Sequence, residues 1–161
     1  MSHQPVIDGF EFASAGASQQ GVLPLGGFAR LRDLLASDAG EVAYEIRGLR
    51  DARGRPSLCL GVRATLQVRC QRCLEPMPVR VDEEEMLVLA ATQAEIDADP
   101  TDTEAPDRLL ASKAMKVSEL VEDQLILALP YAPRHERCAA RAERDGEKVL
   151  PFAGLKGMMR Q

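Results

Sequence analysis

The residues best suited to chemistry in this sequence are three cysteines and a histidine in two short pairs. Cys70 and Cys73 have two residues between them, and His135 and Cys138 repeat that spacing far downstream. Two thiolates so spaced on a tight turn can take adjacent corners of a tetrahedron around zinc, and the second pair would complete the set if the fold brings it near. The alternative is that Cys70 is a small core residue and the others pack or form hydrogen bonds locally. The sequence leaves both interpretations open. We expect no required cofactor, and the alternative is a zinc-binding structural or redox-sensing protein in which these four residues are the working site.

Catalysis by these or other residues has little support. A thioredoxin-like redox site needs its first cysteine at the N-terminus of a helix, whereas Cys70 follows a predicted strand and precedes Pro76. The two histidines are His3 and His135, and no serine lies in a nucleophile-elbow pattern. The glycines at 26 and 27 lack the lysine of a phosphate-binding loop. We therefore expect a protein that is not an enzyme and has no small-molecule substrate.

Positive and negative charges are separated along the chain. Residues 47–80 contain eight arginines and no lysine against two acids, a local balance of +6. Residues 81–107 contain ten acids and no basic residue, a balance of −10. The net charge of −5 therefore hides two oppositely charged segments.

Four of these arginines are candidates for binding nucleic acid: Arg63, Arg69, Arg72 and Arg80. The first two project from the polar face of a predicted strand, and the others lie on the adjoining turn and return strand, so together they could contact phosphates. The alternative is solvation, or pairing with the acidic run from Asp82 to Glu85. Aromatic residues make up only 4% of the chain, which argues against stacking with bases.

The clearest pattern in the sequence is a strict alternation of apolar and polar residues. Seven apolar residues occupy every second position: Leu58, Leu60, Val62, Ala64, Leu66, Val68 and Cys70. This is typical of an antiparallel strand with one buried face. The prolines at 76 and 78 predict a turn over residues 71–78, and residues 79–90 predict the return strand, with a bulge or an exposed stretch at the glutamates 83–85. We expect an α+β fold with a small antiparallel sheet around the hairpin from Ser57 to Ala90, and the pattern does not decide between an open sheet and a barrel.

Two segments have the period of a helix that packs on one face. Residues 27–36 place four apolar residues on one stripe, namely Phe28, Leu31, Leu34 and Leu35. Residues 117–129 repeat apolar residues at helical spacing, while Glu119, Glu122 and Asp123 share the opposite side. Residues 125–129 are apolar all round, which predicts that this end of the helix is buried beneath the sheet.

The length of 161 residues predicts one domain, residues 1–161. Residues 1–26 are rich in small and polar types and predict a loosely ordered N-terminal segment with one short strand near Val22. Residues 91–112 carry many acids and few apolar residues, which predicts an acidic mobile loop. Residues 139–161 predict a basic, irregular tail.

No segment has the pattern of a targeting or membrane-spanning sequence. Residues 1–10 have neither a basic stretch nor the apolar run of about 7–15 residues that a signal peptide needs. The longest apolar runs fall far short of the roughly 20 residues that span a bilayer. We expect a cytoplasmic protein with no membrane partner.

Several segments, taken in order, resemble the YceD family, known as the large ribosomal RNA subunit accumulation protein. They are Cys70-Gln71-Arg72-Cys73, the block from Val121 to Pro130, then Pro133, His135 and Cys138, and finally Pro151-Phe152-Ala153 with Leu155. The resemblance covers roughly residues 42–156, and the block from Val121 to Pro130 is its most specific part. The chain departs from the family pattern at Gln124, where an acid is usual, and at Leu150, where asparagine is common. The spacing of the histidine and cysteine varies in the family, which weakens the case for a uniform zinc site.

The resemblance implies a role in the synthesis, processing or stability of 23S ribosomal RNA in bacteria, and it implies no known catalytic activity. The expected partners are ribosomal RNA, large-subunit ribosomal proteins or processing proteins, contacted through the arginines, the acidic segment or both.

Overall fold

The computed structural model describes residues 5–98 and 105–138. The strands are β1 Val6–Ile7, β2 Ser18–Pro24, β3 Leu35–Ser37, β4 Glu41–Arg50, β5 Pro56–Arg69, β6 Pro76–Ala90, β7 Asp107–Leu110 and β8 Met115–Lys116. The helices are α1 Gly9–Ser14, α2 Ala29–Arg32, α3 Gln93–Asp97 and α4 Val117–Ala128, with a single 3-10 turn at Leu25–Gly27. This confirms the α+β class.

The main sheet has the strand order β2-β4-β5-β6-β7, and β3 pairs with the end of β5 beyond β4. All of its neighbours are antiparallel except β6 and β7, which are parallel. β1 and β8 form a separate two-stranded ladder. The strand order is linear, so within the described residues the sheet is open and is not a barrel.

The central hairpin is β5 and β6, which pair without a register shift from Ser57 opposite Val88 to Arg69 opposite Pro76. The prediction that the prolines turn the chain is wrong, because Pro76 and Pro78 lie inside β6 and the turn is the segment between the strands, 70–75. Their half of β6 is an edge, since β7 pairs only with Leu87–Ala90, and a missing N–H costs little at an edge. The three glutamates 83–85 remain in register without a bulge.

The N-terminal segment is ordered, so the prediction of loose order over residues 1–26 is wrong for the part described, 5–26. Asp8 caps α1 by accepting a hydrogen bond from the Glu11 N–H at 3.0 Å. β2 pairs with β4 along its whole length. α1 lies directly on β4, where a side chain at Gly48 would overlap the carbonyl group of Phe12. β2 is an edge strand that buries no residue fully, so its sequence lacks the apolar alternation that reveals a strand.

Two other predicted segments differ from the structure. The helix expected over residues 27–36 is only the four residues of α2, because Leu35–Ser37 form β3. The acidic segment 91–112 contains α3, capped by Thr92, and β7, so the prediction of a loop without structure is wrong for its described part. Residues 99–104 lie outside the described residues, and so does the predicted tail, 139–161.

α4 confirms the second predicted helix and closes the core beneath the sheet. Its residues Val117, Val121 and Leu125 are completely buried against the inner face of the sheet, where Leu60, Leu66 and other β5 residues are also buried. Burying side chains of this size stabilises the fold by about 1.5–3 kcal/mol each. No helix in the described ranges combines the length and the apolar character needed to cross a membrane.

Candidate metal centre and adjoining groove

The turn between β5 and β6 presents the first cysteine pair. The Cys70 N–H donates to the Glu75 carbonyl at 3.0 Å, and the Leu74 N–H donates to the Cys70 carbonyl at 2.9 Å. Leu74 is in the left-handed region with φ of 66°, which is uncommon for a residue with a branched side chain. This tight loop curls Cys73 back toward Cys70, the last inward-facing position of the alternating strand.

The second pair reaches the turn because the chain folds back after α4. Pro130 follows the helix, and the Pro133 carbonyl then accepts a hydrogen bond from the Gln71 N–H at 2.8 Å. Two residues later the His135 N–H points at the Cys70 sulfur, 3.4 Å away. The segment 133–138 is therefore attached to the hairpin turn by main-chain contacts.

These contacts bring four candidate ligand atoms together. One atom each from Cys70, Cys73, His135 and Cys138 lies within 4.8 Å of all the others. The sulfurs of Cys70 and Cys138 are 3.7 Å apart, and the Cys73 sulfur is 3.3 Å from His135 Nδ1. A tetrahedron with zinc–sulfur bonds of about 2.3 Å has edges of about 3.8 Å, so the donor set fits this ion. The structure brings the predicted residues together, while metal binding stays a prediction.

The protein favours the thiolate form of one of these cysteines. Burial of Cys70 opposes its ionisation, but backbone N–H groups of Cys73, His135 and Arg72 direct their positive ends at its sulfur and lower its pKa to about 5. The Glu75 N–H favours ionisation of Cys73, yet burial and the neighbouring sulfurs of Cys70 and Cys138 outweigh it and raise the pKa of Cys73. A thiolate is the form that binds metal, so one ligand is ready at neutral pH.

Arg72 links the two halves of this cluster. Its Nε donates to the Cys138 sulfur at 3.0 Å, and its Nη2 donates to the His135 carbonyl at 2.8 Å and to the Glu136 carbonyl at 3.4 Å. Its positive charge therefore lies against a sulfur that is negative when ionised. The sequence indicated a nucleic-acid contact for Arg72, and the structure shows this side chain occupied by the cluster.

The other three candidate arginines lie in two different settings. Arg63 Nε is 3.1 Å from Asp82 Oδ1, and Arg80 Nη2 is 3.7 Å from Asp82 Oδ2, so these two share one carboxylate on the outer face of the sheet. Arg69 is exposed, and its guanidinium has no hydrogen bond or ion pair with any residue in 5–98 or 105–138. Nucleic-acid binding stays a prediction for all four.

An apolar groove of about 410 Å³ adjoins the cluster and was not predicted from the sequence. Its lining residues are Leu34, Val68, Arg69, Gln71, Ile126, Leu127, Leu129, Pro130, Tyr131 and Pro133. The prediction that residues 125–129 are all buried is wrong, because Leu125 is buried whereas Leu127 is 72% exposed. The apolar residues on all sides of the end of α4 are the sequence signal for this groove, but the same pattern is also typical of a helix end buried in the core.

The sequence also predicts Glu122 on the side of α4 opposite the apolar stripe, and the prediction that this side is solvated is wrong at Glu122. It is buried, and its Oε1 accepts hydrogen bonds from the backbone N–H groups of Arg30 and Leu31 at 2.7 and 3.1 Å. Its Oε2 accepts from Arg30 Nη2 at 2.9 Å, while Asp123 Oδ1 accepts from Arg30 Nη1 at 2.6 Å. Burial opposes ionisation, but the N–H of Leu31 and the groups of Arg30 outweigh it and hold the pKa of Glu122 below its ordinary value. Glu122 therefore attaches α4 to α2.

Comparison with known proteins gives one match. The model of the family described as large ribosomal RNA subunit accumulation protein YceD matches residues 58–157, more than half of the chain. The match contains β5 from Leu58 onward, β6, α4 and all four candidate ligands. Neither a curated protein nor a solved structure matches the chain.

Proposed function

The chain belongs to the YceD family, and on this premise we propose that it is a non-catalytic accessory factor in the synthesis, processing or stability of 23S ribosomal RNA. The single observation that carries the proposal is the family match over residues 58–157. It includes the central hairpin and α4, so the matched region is a folded unit of strands and helix rather than an isolated motif. Ribosomal RNA and large-subunit proteins are the proposed partners.

Unpaired cations at the cysteine end of the molecule support direct contact with RNA there. Arg69, Arg134 and Arg137 are exposed, and none of their guanidinium groups has an ion pair or hydrogen bond within the described ranges. Arg63 and Arg80 instead share Asp82. A phosphate would have to compete with that carboxylate for these two arginines, whereas the unpaired ones need no such exchange.

The proposal is tested in bacteria from which the gene has been deleted, with the chain supplied from a plasmid. We expect deletion to lower the ratio of 23S to 16S ribosomal RNA and the wild-type chain to restore it. The double charge reversal Arg69→Glu with Arg134→Glu should restore it poorly, and the matched reversal Arg63→Glu with Arg80→Glu should restore it better. A ratio that deletion leaves unchanged would remove the proposed function.

We propose as a second function that Cys70, Cys73, His135 and Cys138 hold a structural zinc ion. The spacing of their donor atoms favours this, because all four lie within 4.8 Å of one another. When bound, the ion would supply a crosslink between the hairpin turn and the segment after α4, and no catalytic step requires it. Arg72 would offset part of the negative charge of three thiolates through its contact with Cys138.

Metal analysis of the purified protein tests the zinc site. We expect about one zinc per chain, lost in Cys73→Ser together with part of the thermal stability, because metal binding of this kind is coupled to folding. Cys59→Ser is the matched control, since Cys59 is a buried cysteine outside the group, and it should keep the metal. Metal-free wild-type protein with the same melting temperature as Cys73→Ser would exclude the site.

A further inference from the structure

Tyr131 stands out from the rest of the molecule because its ring is fully exposed. The other tyrosine, Tyr44, is buried in the core. Tyr131 lines the apolar groove beside the cysteine cluster, between Pro130 and Pro133 and next to Leu127 on α4. Large apolar side chains exposed together in a concave surface mark a binding site more often than a solvated face.

The polar residues of the groove fit a nucleic acid. Among the described residues that line it, Arg69 and Gln71 are polar besides the Tyr131 hydroxyl, and none is an acid, although the whole chain has a net charge of −5. The Arg69 guanidinium has no partner among the described residues and is free to contact a phosphate. Gln71 carries an amide that can donate to and accept from the edge of a base.

We propose that this groove binds an unpaired base of single-stranded RNA, stacked on Tyr131, with Arg69 on the adjacent phosphate. The inference rests on the proposed function and names the site through which it acts. Base stacking on an exposed aromatic ring is the usual way in which proteins hold single-stranded RNA, and a single ring is enough to stack one base, so the aromatic content of only 4% does not exclude it. The unpaired Arg134 directly follows the lining residue Pro133 and adds a second positive charge near the groove.

Charge complementarity favours RNA over an apolar protein segment as the occupant. A protein segment that filled the groove with apolar side chains would leave Arg69 without a counter-charge. An RNA strand supplies both a planar base for the apolar wall and a phosphate for the cation. The groove volume of about 410 Å³ lies within the range of small-ligand pockets, ~300–1,000 Å³.

Fluorescence anisotropy with the full-length protein and a labelled ten-nucleotide oligouridylate tests the proposal. Tyr131→Ala should weaken binding about tenfold or more, and Tyr131→Phe should stay within about twofold, because stacking needs the ring and not the hydroxyl. Arg69→Gln should weaken binding several-fold and reduce its salt dependence by about one phosphate contact. Arg63→Gln is the matched control and should change binding little, since its partner is Asp82.

Tyr131→Ala should also melt at the temperature of the wild type, because the ring is exposed, so lost binding would not reflect unfolding. Wild-type affinity in Tyr131→Ala, or weakening by Arg63→Gln that equals that by Arg69→Gln, would overturn the groove proposal and leave the proposed function standing. The groove proposal would also be overturned if the wild type captured a large-subunit protein that Tyr131→Ala did not, while both bound the RNA with the same affinity. The ratio of 23S to 16S RNA after gene deletion remains the separate test of the proposed function.

Discussion

Two residues of α4, one in each half of the helix, differ in burial from what their chemistry suggests. In the first half the carboxylate Glu122 is only 7% exposed, and in the second half the apolar Leu127 is 72% exposed. Glu122 is buried because Arg30 and Leu31 supply it with hydrogen bonds, and Leu127 is exposed because no described residue covers it. The informative features of a protein are its buried polar groups and its exposed apolar patches, and α4 has one of each. We infer that Glu122 helps to hold the fold together and that the exposed side chain of Leu127 forms part of a contact surface.

A large loss of stability should come from removing the buried carboxylate. Glu122→Ala leaves the N–H groups of Arg30 and Leu31 without acceptors, and it should lower the free energy of unfolding by about 3 kcal/mol. Glu119→Ala is the control on the same helix, because Glu119 forms an exposed pair with Lys116 at 2.8 Å, and it should cost about 0.5 kcal/mol or less. Urea unfolding of both variants checks this, and equal costs would mean that Glu122 does not hold α4 to α2.

A contrast of comparable size is expected from two identical substitutions in the second half. Leu125→Ala should cost about 2–5 kcal/mol, because it opens a cavity in the core. Leu127→Ala should cost about 0.5 kcal/mol or less, because little of its side chain leaves water on folding. Thermal and urea unfolding measure both values. A large loss in Leu127→Ala would show that this face is covered in solution and would remove the contact surface.

The smallest effect concerns pH. The pKa of Glu122 is lowered in the folded protein from its ordinary value of 4.5, so its ionised form contributes stability above that pH. This contribution is lost as pH falls through the folded pKa. The stability gap between the wild type and Glu122→Gln should therefore be constant near neutral pH and shrink below about pH 4.5. Urea unfolding at pH 7, 5 and 4 checks this, and a gap that does not change with pH would contradict the lowered pKa.

The sequence predicts those parts of the molecule that local pattern determines. The alternation in β5 and the helical spacing of α4 are visible without tertiary information, and both elements form as expected. The partners of Glu122 are not visible in this way, because Arg30 lies 92 residues away and only the fold brings it near. β7 was not predicted, and β2 was predicted only as a short strand near Val22, because neither has a fully buried residue and therefore neither has a strong apolar pattern.

For the candidate site, too, the sequence predicts what local pattern determines and not which residues become neighbours in the fold. Residue type and spacing are enough to select Cys70, Cys73, His135 and Cys138, and the fold supplies the proximity of their donor atoms. The candidate arginines, by contrast, are of one residue type but have different surroundings in the fold. The strand register places Arg63 opposite Asp82, while Arg69 lies opposite Pro76 and has no such neighbour, and register is a property of the assembled sheet.

The central claim is that the chain contacts large-subunit RNA through the surface at the end of α4. Ultraviolet crosslinking in cells tests it most directly. Mass spectrometry then identifies the tryptic peptides that carry nucleotides, and sequencing identifies the RNA. We predict 23S ribosomal RNA attached within the peptide 117–134, which contains Leu127 and Tyr131, and loss of that adduct in Tyr131→Ala. Nucleotides found only on peptides from the outer face of β5 and β6, or no enrichment of 23S RNA, would contradict the account.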